Sequence, residues 1–313
     1  MNGLDALLTA GAGLAAGAVN AVAGGGTLLA FPALLAAGLP AVTANITSST
    51  GLVTGYAGGA LGYRRELSGQ LPRLRALAPA AILGGIVGAV ILLVTPKDSF
   101  KTAVPFLVLI ACLLLASQSK LSGVVARRRA AKAAALTSAR TPGPTVATDA
   151  APALAVGTAQ PAGAGTATAP VGTAVAPAGP AVAAAGPSPG ADRPVTWPTR
   201  IGVFVAGAYG SYFGAGLGVL LLAVMGILLV DDLQRTNALK TLLSFIVNAV
   251  GVVVFLVSAQ VAWAYAGILV VTSAAGGVMG ARAARLLPAV WLRRGVVILG
   301  LAVAVVLFVR DFA

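Results

Sequence analysis

The stretch Leu77-Ala-Pro-Ala-Ala-Ile-Leu-Gly-Gly-Ile-Val-Gly-Ala-Val-Ile-Leu-Leu-Val94 contains no charged or hydrogen-bonding side chain. At 1.5 Å per residue, a helix of this length approaches the ~30 Å thickness of a bilayer's hydrocarbon core. Comparable runs occur at Ala103–Ala116, Val261–Val278 and Val290–Val309. Because only helices satisfy their backbone groups locally in lipid, the sequence predicts an all-α polytopic membrane protein with about 8–10 membrane helices.

The composition of the whole chain supports a membrane protein. Hydrophobic residues make up 58% of the 313 residues, charged residues 9%, and the mean hydropathy is +0.95. Soluble domains are about 45–50% apolar and about 25% charged. The net charge of +13 comes from basic residues between apolar runs, as in the cytoplasmic loops of membrane proteins, and does not indicate nucleic-acid binding.

The chain lacks the residues for several kinds of chemistry. It has no histidine, which excludes histidine catalysis and histidine metal ligands. Its single cysteine, Cys112, excludes an intrachain disulfide. Within the apolar runs there is no nucleophile–base pair and no metal-ligand cluster, so we expect no catalytic residue, no metal and no cofactor, and the sequence does not favour an enzyme.

Composition divides the chain into three parts. Residues 1–119 and 199–313 are hydrophobic blocks, interpreted as two membrane repeats. Residues 120–198 begin with a basic cluster and continue as a tract rich in alanine, proline, glycine and threonine. This middle part is interpreted as a disordered cytoplasmic linker.

An internal repeat relates the two blocks. A shift of 192 residues places Asn45 on Asn237 and Gly24 on Gly216. The same shift places Gly84-Gly85-Ile86-Val87-Gly88 on Gly276-Gly277-Val278-Met279-Gly280. Apolar matches are common in so biased a sequence, but a shared asparagine and a shared Gly-Gly-x-x-Gly pattern are not.

Charge placement predicts how the halves are oriented. The first segment of each half, Leu4–Leu39 and Ile201–Val230, is too long for one plain helix and is interrupted by glycines. If each segment crosses once, with the N-terminus inside, 13 basic residues lie inside and 8 outside. If the second segment is a hairpin that returns to its own side, the counts are 18 and 3. The positive-inside rule favours the hairpin, and the repeat extends it to the first segment, giving two inverted repeats.

Each half carries a polar stripe on the helix that follows its hairpin. The spacing i, i+3, i+4, i+7 and i+11 places the second stripe on one helical face, with Lys240 at its edge. Two interpretations remain: the stripes line a substrate path, or they serve interhelical and intrahelical hydrogen bonds. Lys240 has its own alternative, snorkelling to the cytoplasmic surface. The first stripe comprises Asn45, Ser48, Ser49 and Tyr56, and the second Asn237, Lys240, Thr241, Ser244 and Asn248.

The hairpin glycines are candidates for substrate binding. Backbone N–H groups at the start of a half-helix attract anions, because they lack intrahelical partners and lie at the positive end of the helix dipole. The alternative is that these glycines only break the helix and permit close packing, which is the interpretation favoured for Gly84-Gly85-Ile86-Val87-Gly88 and its repeat. The candidate residues are Gly24, Gly25, Gly26, Thr27, Gly214, Gly216 and Gly218.

Acidic residues are placed only at predicted helix ends, in loops or in the linker. A cation path or an embedded proton relay normally uses carboxylates or histidines within the membrane. The available groups are amides, hydroxyls and one lysine, which suit a small anion. We therefore expect a small anionic substrate and the lipid bilayer as partners and no nucleic acid; homo-oligomer formation is left open.

The run Ala18-Val-Asn-Ala-Val-Ala-Gly-Gly-Gly26-Thr-Leu-Leu-Ala-Phe-Pro32, followed by Ala44-Asn-Ile-Thr-Ser-Ser49 and Tyr63-Arg-Arg65, resembles the sulfite exporter TauE/SafE family of membrane transporters. The second half is similar at Phe213-Gly-Ala-Gly-Leu-Gly218 and Arg235-Thr-Asn-Ala-Leu-Lys-Thr241. The resemblance implies an inner-membrane permease for small anions, with sulfite and organosulfonates as reference substrates. The resemblance covers both hydrophobic blocks, and only the linker lies outside it.

Three functional hypotheses follow. The first is a secondary transporter that alternates access around the two hairpins. The second is an anion channel on the same scaffold, which a non-saturating flux would favour. The third is a non-transporting scaffold whose partner binds the linker, a hypothesis that deletion of Thr141–Gly190 would test.

Overall fold

The computed structural model describes residues 2–22, 24–140, 195–229, 233–258, 261–283 and 289–312. Within these ranges the regular elements are all helices, which confirms the all-α prediction. The helices are α1 (Gly3–Val22), α2 (Thr27–Ala36), α3 (Ala41–Gly62), α4 (Arg64–Leu67), α5 (Leu71–Val94), α6 (Lys97–Arg140), α7 (Trp197–Tyr212), α8 (Leu217–Leu228), α9 (Leu233–Ser258), α10 (Trp263–Ala283) and α11 (Ala289–Phe312).

Five of the described helices are long and apolar enough to cross a membrane. They contain the windows Gly3–Val22, Leu71–Val94, Lys97–Gln118, Gln234–Val257 and Trp263–Arg282. Three shorter apolar helices accompany them, at Thr27–Ala36, Leu217–Leu228 and Arg294–Val309. The protein is therefore a multi-pass membrane protein.

The first segment of each half is broken at its glycines, as the sequence predicts. α1 ends at Val22 and α2 begins at Thr27, after the Gly24-Gly25-Gly26 run. α7 ends at Tyr212 and α8 begins at Leu217. Within each segment the two helices pack against each other, so the chain turns back at each break and forms a hairpin.

The two halves have matching helices. α3 and α9 begin at Ala41 and Leu233, and α5 and α10 begin at Leu71 and Trp263; both offsets equal the predicted 192 residues. Packing matches as well, because α10 lies against α1 and α3 as α5 lies against α7 and α9. In the same way, α11 contacts α2 and α6 contacts α8. Each hairpin is thus packed against helices of the other half. The inverted-repeat relation stays a prediction.

Helix directions follow from glycine contacts. α1 and α10 run parallel, because Gly13 lies against Thr272 and Gly17 lies against Gly277. α3 and α10 are also parallel, because Gly51 faces Leu269 and Gly58 faces Val278 further along both helices. α3 ends beside the start of α9, where Asn237 reaches Tyr63, so these two helices run in opposite directions.

The Gly-Gly-x-x-Gly patterns serve helix packing, which confirms that part of the prediction. A Cβ at Gly84 or Gly88 would collide with the backbone of α7, at Phe204 and Ala208. A Cβ at Gly276 would collide with the backbone of α1 at Leu14. Because these collisions involve main-chain atoms, only glycine permits so close an approach of the helices.

The loop between α4 and α5 and the start of α9 lie together in the structure. They would lie on opposite sides of the membrane if each first segment crossed it once. The Gln70 side chain, between α4 and α5, donates a hydrogen bond to the Arg235 carbonyl at 2.9 Å. The Arg235 guanidinium donates to the Ser68 carbonyl at 3.3 Å. The basic end of α3 and the start of α9 are therefore at the same end of the bundle. This arrangement fits the hairpin interpretation.

α6 extends beyond its membrane window. The window ends at Gln118, and the helix continues to Arg140. Residues 120–140 of the expected linker are thus helical, contrary to the expectation of disorder from Lys120 onward. The reason is local composition: this part contains alanines and arginines, which favour helix, and no proline. The proline-rich remainder, residues 141–194, lies outside the described residues.

Candidate functional site

The two glycine breaks meet inside the protein. The Cα of Gly218 lies 2.5 Å from where a Cβ on Gly24 would stand. Across the same contact, the Thr27 hydroxyl lies 3.1 Å from the corresponding position on Gly214. Phe31 and Phe213 add an edge-to-face ring contact with centroids 5.5 Å apart. We call this junction of residues 24–27 with residues 213–218 the tip contact.

Three of the tip glycines adopt the left-handed conformation: Gly24, Gly214 and Gly216 have φ of +84°, +80° and +87°. Of these, Gly24 and Gly216 coincide under the shift of 192 residues. A side chain in this conformation is strained. The repeat therefore conserves a backbone conformation between the halves, as well as the residue type.

The tip glycines do not all face the same surroundings. Gly26 packs against the Ala16 carbonyl and Asn20, and Gly218 packs against Gly24, so their need for glycine is explained by packing. Gly25 and Gly216 face side chains of α6 instead, at Leu115 and Leu114. At these two positions, as at Gly214, which faces the Thr27 side chain, no closely adjacent main chain requires glycine.

Part of the amide surface at the first break is already occupied. The Gly26 N–H donates to the Asn20 Oδ1 at 2.7 Å in a fully buried hydrogen bond. Leu28 and Leu29 donate to the carbonyls of Gly25 and Gly26. At the second break, Val219 and Leu220 both donate to the Gly216 carbonyl. No described carbonyl accepts a hydrogen bond from the N–H of Gly25 or Gly216, so these amides remain candidates for a ligand.

The α3 stripe lies against the second hairpin. Asn45 is buried, and its Nδ2 donates to the carbonyl of Tyr212, the last residue of α7, at 2.9 Å. This bond satisfies a helix-end carbonyl that has no partner within its own helix. Ser48 Oγ donates to the Asn45 carbonyl at 2.9 Å. Ser49 is buried on the same helix.

The α9 stripe lies against the first hairpin. Asn237 Nδ2 donates to the Tyr63 hydroxyl at 3.0 Å, and that hydroxyl is 3.5 Å from the carbonyl of Ala21, near the end of α1. The Thr241 hydroxyl donates to the Asn237 carbonyl at 2.8 Å. Asn248 donates to the Ser244 carbonyl at 2.9 Å. Each stripe thus reaches the broken helix of the other half.

The hydrogen bonds divide the stripes between the two interpretations of the sequence. Ser48, Thr241 and Asn248 donate to carbonyls of their own helices, as the packing interpretation expects. Asn45 and Asn237 reach across to other helices. Asn248 also faces Tyr56, its own equivalent under the repeat shift. The structure therefore brings the asparagines toward the hairpins, while Ser49 and Ser244 are buried on the same two helices.

Lys240 is fully buried, with 0% of its surface exposed. Its place between Asn237 and Ser244 puts it on the inward face of α9. Full burial excludes the snorkelling alternative, because a snorkelling lysine keeps its ammonium in water. A buried ammonium needs compensating groups, and it supplies a charge-assisted donor inside the protein.

Sequence reasoning missed three buried polar residues near the breaks. Asn20 anchors the Gly26 amide, Ser211 precedes the second break and lies against Gly251, and Thr47 accepts a hydrogen bond from the Ala262 amide at 3.1 Å. Asn20 had a usable signal, because an asparagine within an apolar run is expensive in lipid. Isolated serines and threonines give no such signal, since they bond readily to their own helix.

Comparison with known proteins identifies the scaffold. The family model described as "Sulfite exporter TauE/SafE" matches residues 9–307. A relative from Sinorhizobium sp., named "Probable membrane transporter protein ORF9", is 30% identical over 94 residues, which is 30% of this chain and 36% of that protein. The match thus covers only about a third of the relative. No solved structure matches the chain. Since the family match spans both hairpins and both polar stripes, the chain belongs to the sulfite exporter TauE/SafE family of membrane transporters.

Proposed function

We propose that this transporter carries a small oxyanion, of the sulfite or organosulfonate class, across the inner membrane by alternating access around the tip contact. The observation that carries the proposal is the meeting of two broken helices at a site with buried donors. The amides of Gly25 and Gly216 lie at this junction, and Asn45 joins it through the end of α7.

The charge of the buried region supports an anion over a cation. Lys240 and Arg73 are the buried charged side chains among the described residues, and both are basic. A cation path needs carboxylates at membrane depth. An oxyanion that leaves water needs several donors in place of its hydration shell, and amides, hydroxyls and an ammonium supply them.

Close packing at the tips supports alternating access. Gly24 and Gly218 approach so closely that no solute passes between them without separation of the two hairpins. Each hairpin is packed against helices of the opposite half, so displacement of either one opens the junction from one side. We infer that the structure corresponds to a closed state between the two open ones.

The main test compares two alanine substitutions that impose the same backbone strain. Gly216 and Gly38 have φ of +87° and +86°. A Cβ at Gly38 has nothing within 4 Å, and a Cβ at Gly216 has Leu114 at 3.4 Å. Each substitution should destabilise the protein by about 1–2 kcal/mol, because each places a side chain in the left-handed region. We expect Gly216→Ala to lower saturable sulfite flux into proteoliposomes at least about tenfold, and Gly38→Ala to preserve it.

The outcomes separate the hypotheses. Equal flux in the two variants would remove the Gly216 amide from the site and leave the stripes as candidates. Flux that rises linearly with sulfite concentration would indicate a channel. Loss of flux in both variants would point to the shared backbone strain as the cause. The stronger variants Gly25→Val and Gly216→Val should abolish flux, while neutral solutes stay excluded.

The orientation has its own test. We propose that the end of the bundle with Arg64, Arg65 and Arg235 faces the cytoplasm, together with the linker, because of the 18-to-3 charge count. In intact cells, a membrane-impermeant maleimide should label Asp98→Cys, at the exposed start of α6, and spare Gln234→Cys. Cys112 is buried and gives a low background. Labelling of Gln234→Cys from outside would overturn the orientation.

A further inference from the structure

An apolar groove lies on the outer surface between α3 and α10, away from the tip contact. It has a volume of about 570 Å³, and it is lined by Thr54, Ala57, Gly58, Leu61, Ala274, Ala275, Val278 and Met279. Leu61 and Met279 are more than half exposed, at 68% and 58%. Because both helices belong to the membrane bundle, this groove opens toward the lipid.

Small residues make the groove. α3 and α10 are held close where Gly58 lies against the Ala274 carbonyl, and the alanines beside that contact leave space that larger side chains would fill. Its floor therefore consists largely of backbone and methyl groups. A flexible hydrocarbon chain can occupy such a surface without an unsatisfied polar group.

The equivalent interface, between α9 and α5, is lined by larger residues, although Ala57 corresponds to another alanine, Ala249. Under the shift of 192 residues, Gly58 corresponds to Val250, and Ala274 and Ala275 correspond to Ile82 and Leu83. Thr54 corresponds to Ile246. The four equivalents are bulky and apolar. The groove is therefore not a general result of how these helices pack in this scaffold; it belongs to the α3–α10 interface and not to the equivalent α9–α5 interface.

Basic residues stand at one end of the groove. Arg282 is exposed on α10, three residues after Met279, so it lies on the same helical face. Arg64 and Arg65 are exposed in α4, directly after α3. Their equivalents at the α9–α5 interface are Leu256, Val257 and Val90, which are all apolar. The small groove lining and the basic residues thus occur together at the α3–α10 interface.

We propose that this groove binds one acyl chain of an anionic phospholipid whose phosphate contacts Arg282, Arg64 and Arg65. The groove supplies an apolar surface at membrane depth, and the arginines supply charge at the level of the headgroups. Arginine is well suited to phosphate, since its planar guanidinium donates two parallel hydrogen bonds. A second copy of this chain could fill the groove, but it would bring the three arginines close to the same arginines of the other copy, where like charges repel.

The test measures lipid retained by the full-length protein. Delipidated protein in detergent is titrated with phosphatidylglycerol or with phosphatidylcholine, and bound lipid is counted by native mass spectrometry. We expect tighter binding of phosphatidylglycerol. Substitution of all three arginines by glutamine should weaken phosphatidylglycerol binding by about a hundredfold, since each basic residue near an anionic headgroup strengthens binding by about fivefold. Arg75→Gln is the matched control, because Arg75 is exposed at the same end on α5, away from the groove.

A second variant tests the groove itself. Ala275→Leu introduces the residue that stands at the equivalent position of the other half, at an exposed site where folding is not at risk. We expect it to reduce phosphatidylglycerol binding at least about tenfold, with an unchanged melting temperature. Equal binding of both lipids by the wild-type protein would overturn the proposal. So would a change from dimer to monomer in Ala275→Leu with no loss of lipid, because the groove would then hold a second copy of the chain.

Discussion

Helices α3 and α9 occupy equivalent positions in the two halves, but only α9 carries a charged residue in its polar stripe. Asn45 and Asn237 are shared: Asn45 donates to the end of the broken helix α7, and Asn237 approaches α1 only through the Tyr63 hydroxyl. Lys240 on α9 corresponds to Ser48 on α3. Both side chains are fully buried. The asparagine is therefore duplicated, and the buried charge is not.

This difference separates two roles that the sequence presents together. An asparagine that donates to a helix-end carbonyl, as Asn45 does, meets a structural need where a helix is broken in lipid, because that carbonyl would otherwise lack a partner. A single buried ammonium has no such structural need, and it is costly. We therefore assign the asparagines to holding the hairpins and Lys240 to the substrate. The following predictions test that division.

The largest effect should come from making α9 resemble α3 at the charged position. Lys240→Ser removes a charge-assisted donor, which is worth about 1.5–3 kcal/mol in a buried site. The apparent KM for sulfite in proteoliposomes should rise about tenfold to a hundredfold. Ser48→Ala is the control and should change KM little, because the Ser48 hydroxyl donates to its own helix. The double variant Ser48→Lys/Lys240→Ser should recover part of the affinity if the path lies between the two stripes. A KM unchanged by Lys240→Ser would assign the lysine to structure.

A smaller effect is expected from the asparagines. Asn45→Leu leaves the buried Tyr212 carbonyl without its donor, at a cost of about 1–3 kcal/mol. Asn237→Leu leaves the Tyr63 hydroxyl in place near the Ala21 carbonyl, so it should destabilise the protein less. Both variants should transport about tenfold more slowly, with kcat affected more than KM, because they displace the hairpins. Tyr63→Phe should reproduce the effect of Asn237→Leu. Normal transport in both asparagine variants would contradict a role at the hairpins.

The smallest effect should come from the stripe hydroxyl on α9. Thr241→Val preserves shape and removes a hydroxyl that donates to the Asn237 carbonyl. Thr241→Val should change sulfite flux by less than about threefold, because the hydroxyl proton is already donated to that carbonyl. A loss of flux in Thr241→Val comparable to that of Lys240→Ser would show that the hydroxyl turns toward the substrate, and the path would then include it.

Much of the fold was predictable from residue patterns. The long apolar runs predicted the helices, and the shift of 192 residues matched the starts of α9 and α10 to those of α3 and α5. The glycine clusters located both breaks. These features depend on local composition, to which a helix in lipid responds strongly.

The site was less predictable, because it depends on which surfaces meet. The sequence selected Gly24 and Gly218 but gave no means of knowing that they touch. The sequence allowed Lys240 to lie either in the protein interior or at the cytoplasmic surface, and only the packing around α9 places it in the protein interior. Asn20 was missed although it occupies the Gly26 amide, because its role requires the return of α2 onto α1. The length of α6 was also underestimated, since helix-forming residues continue past the membrane window.

The tip contact has a consequence for how members of such a protein family diverge. Gly24 and Gly218 meet through main-chain atoms, with no side chain between them. A substitution at either glycine would place a side chain between the two main chains and push the hairpins apart. Variation at this contact therefore cannot adjust the site gradually. We therefore expect new substrates to be acquired through side chains outside the tip contact, with Lys240 as the proposed candidate. Efforts to redirect the transporter toward another anion should begin with α9 and leave the tips intact.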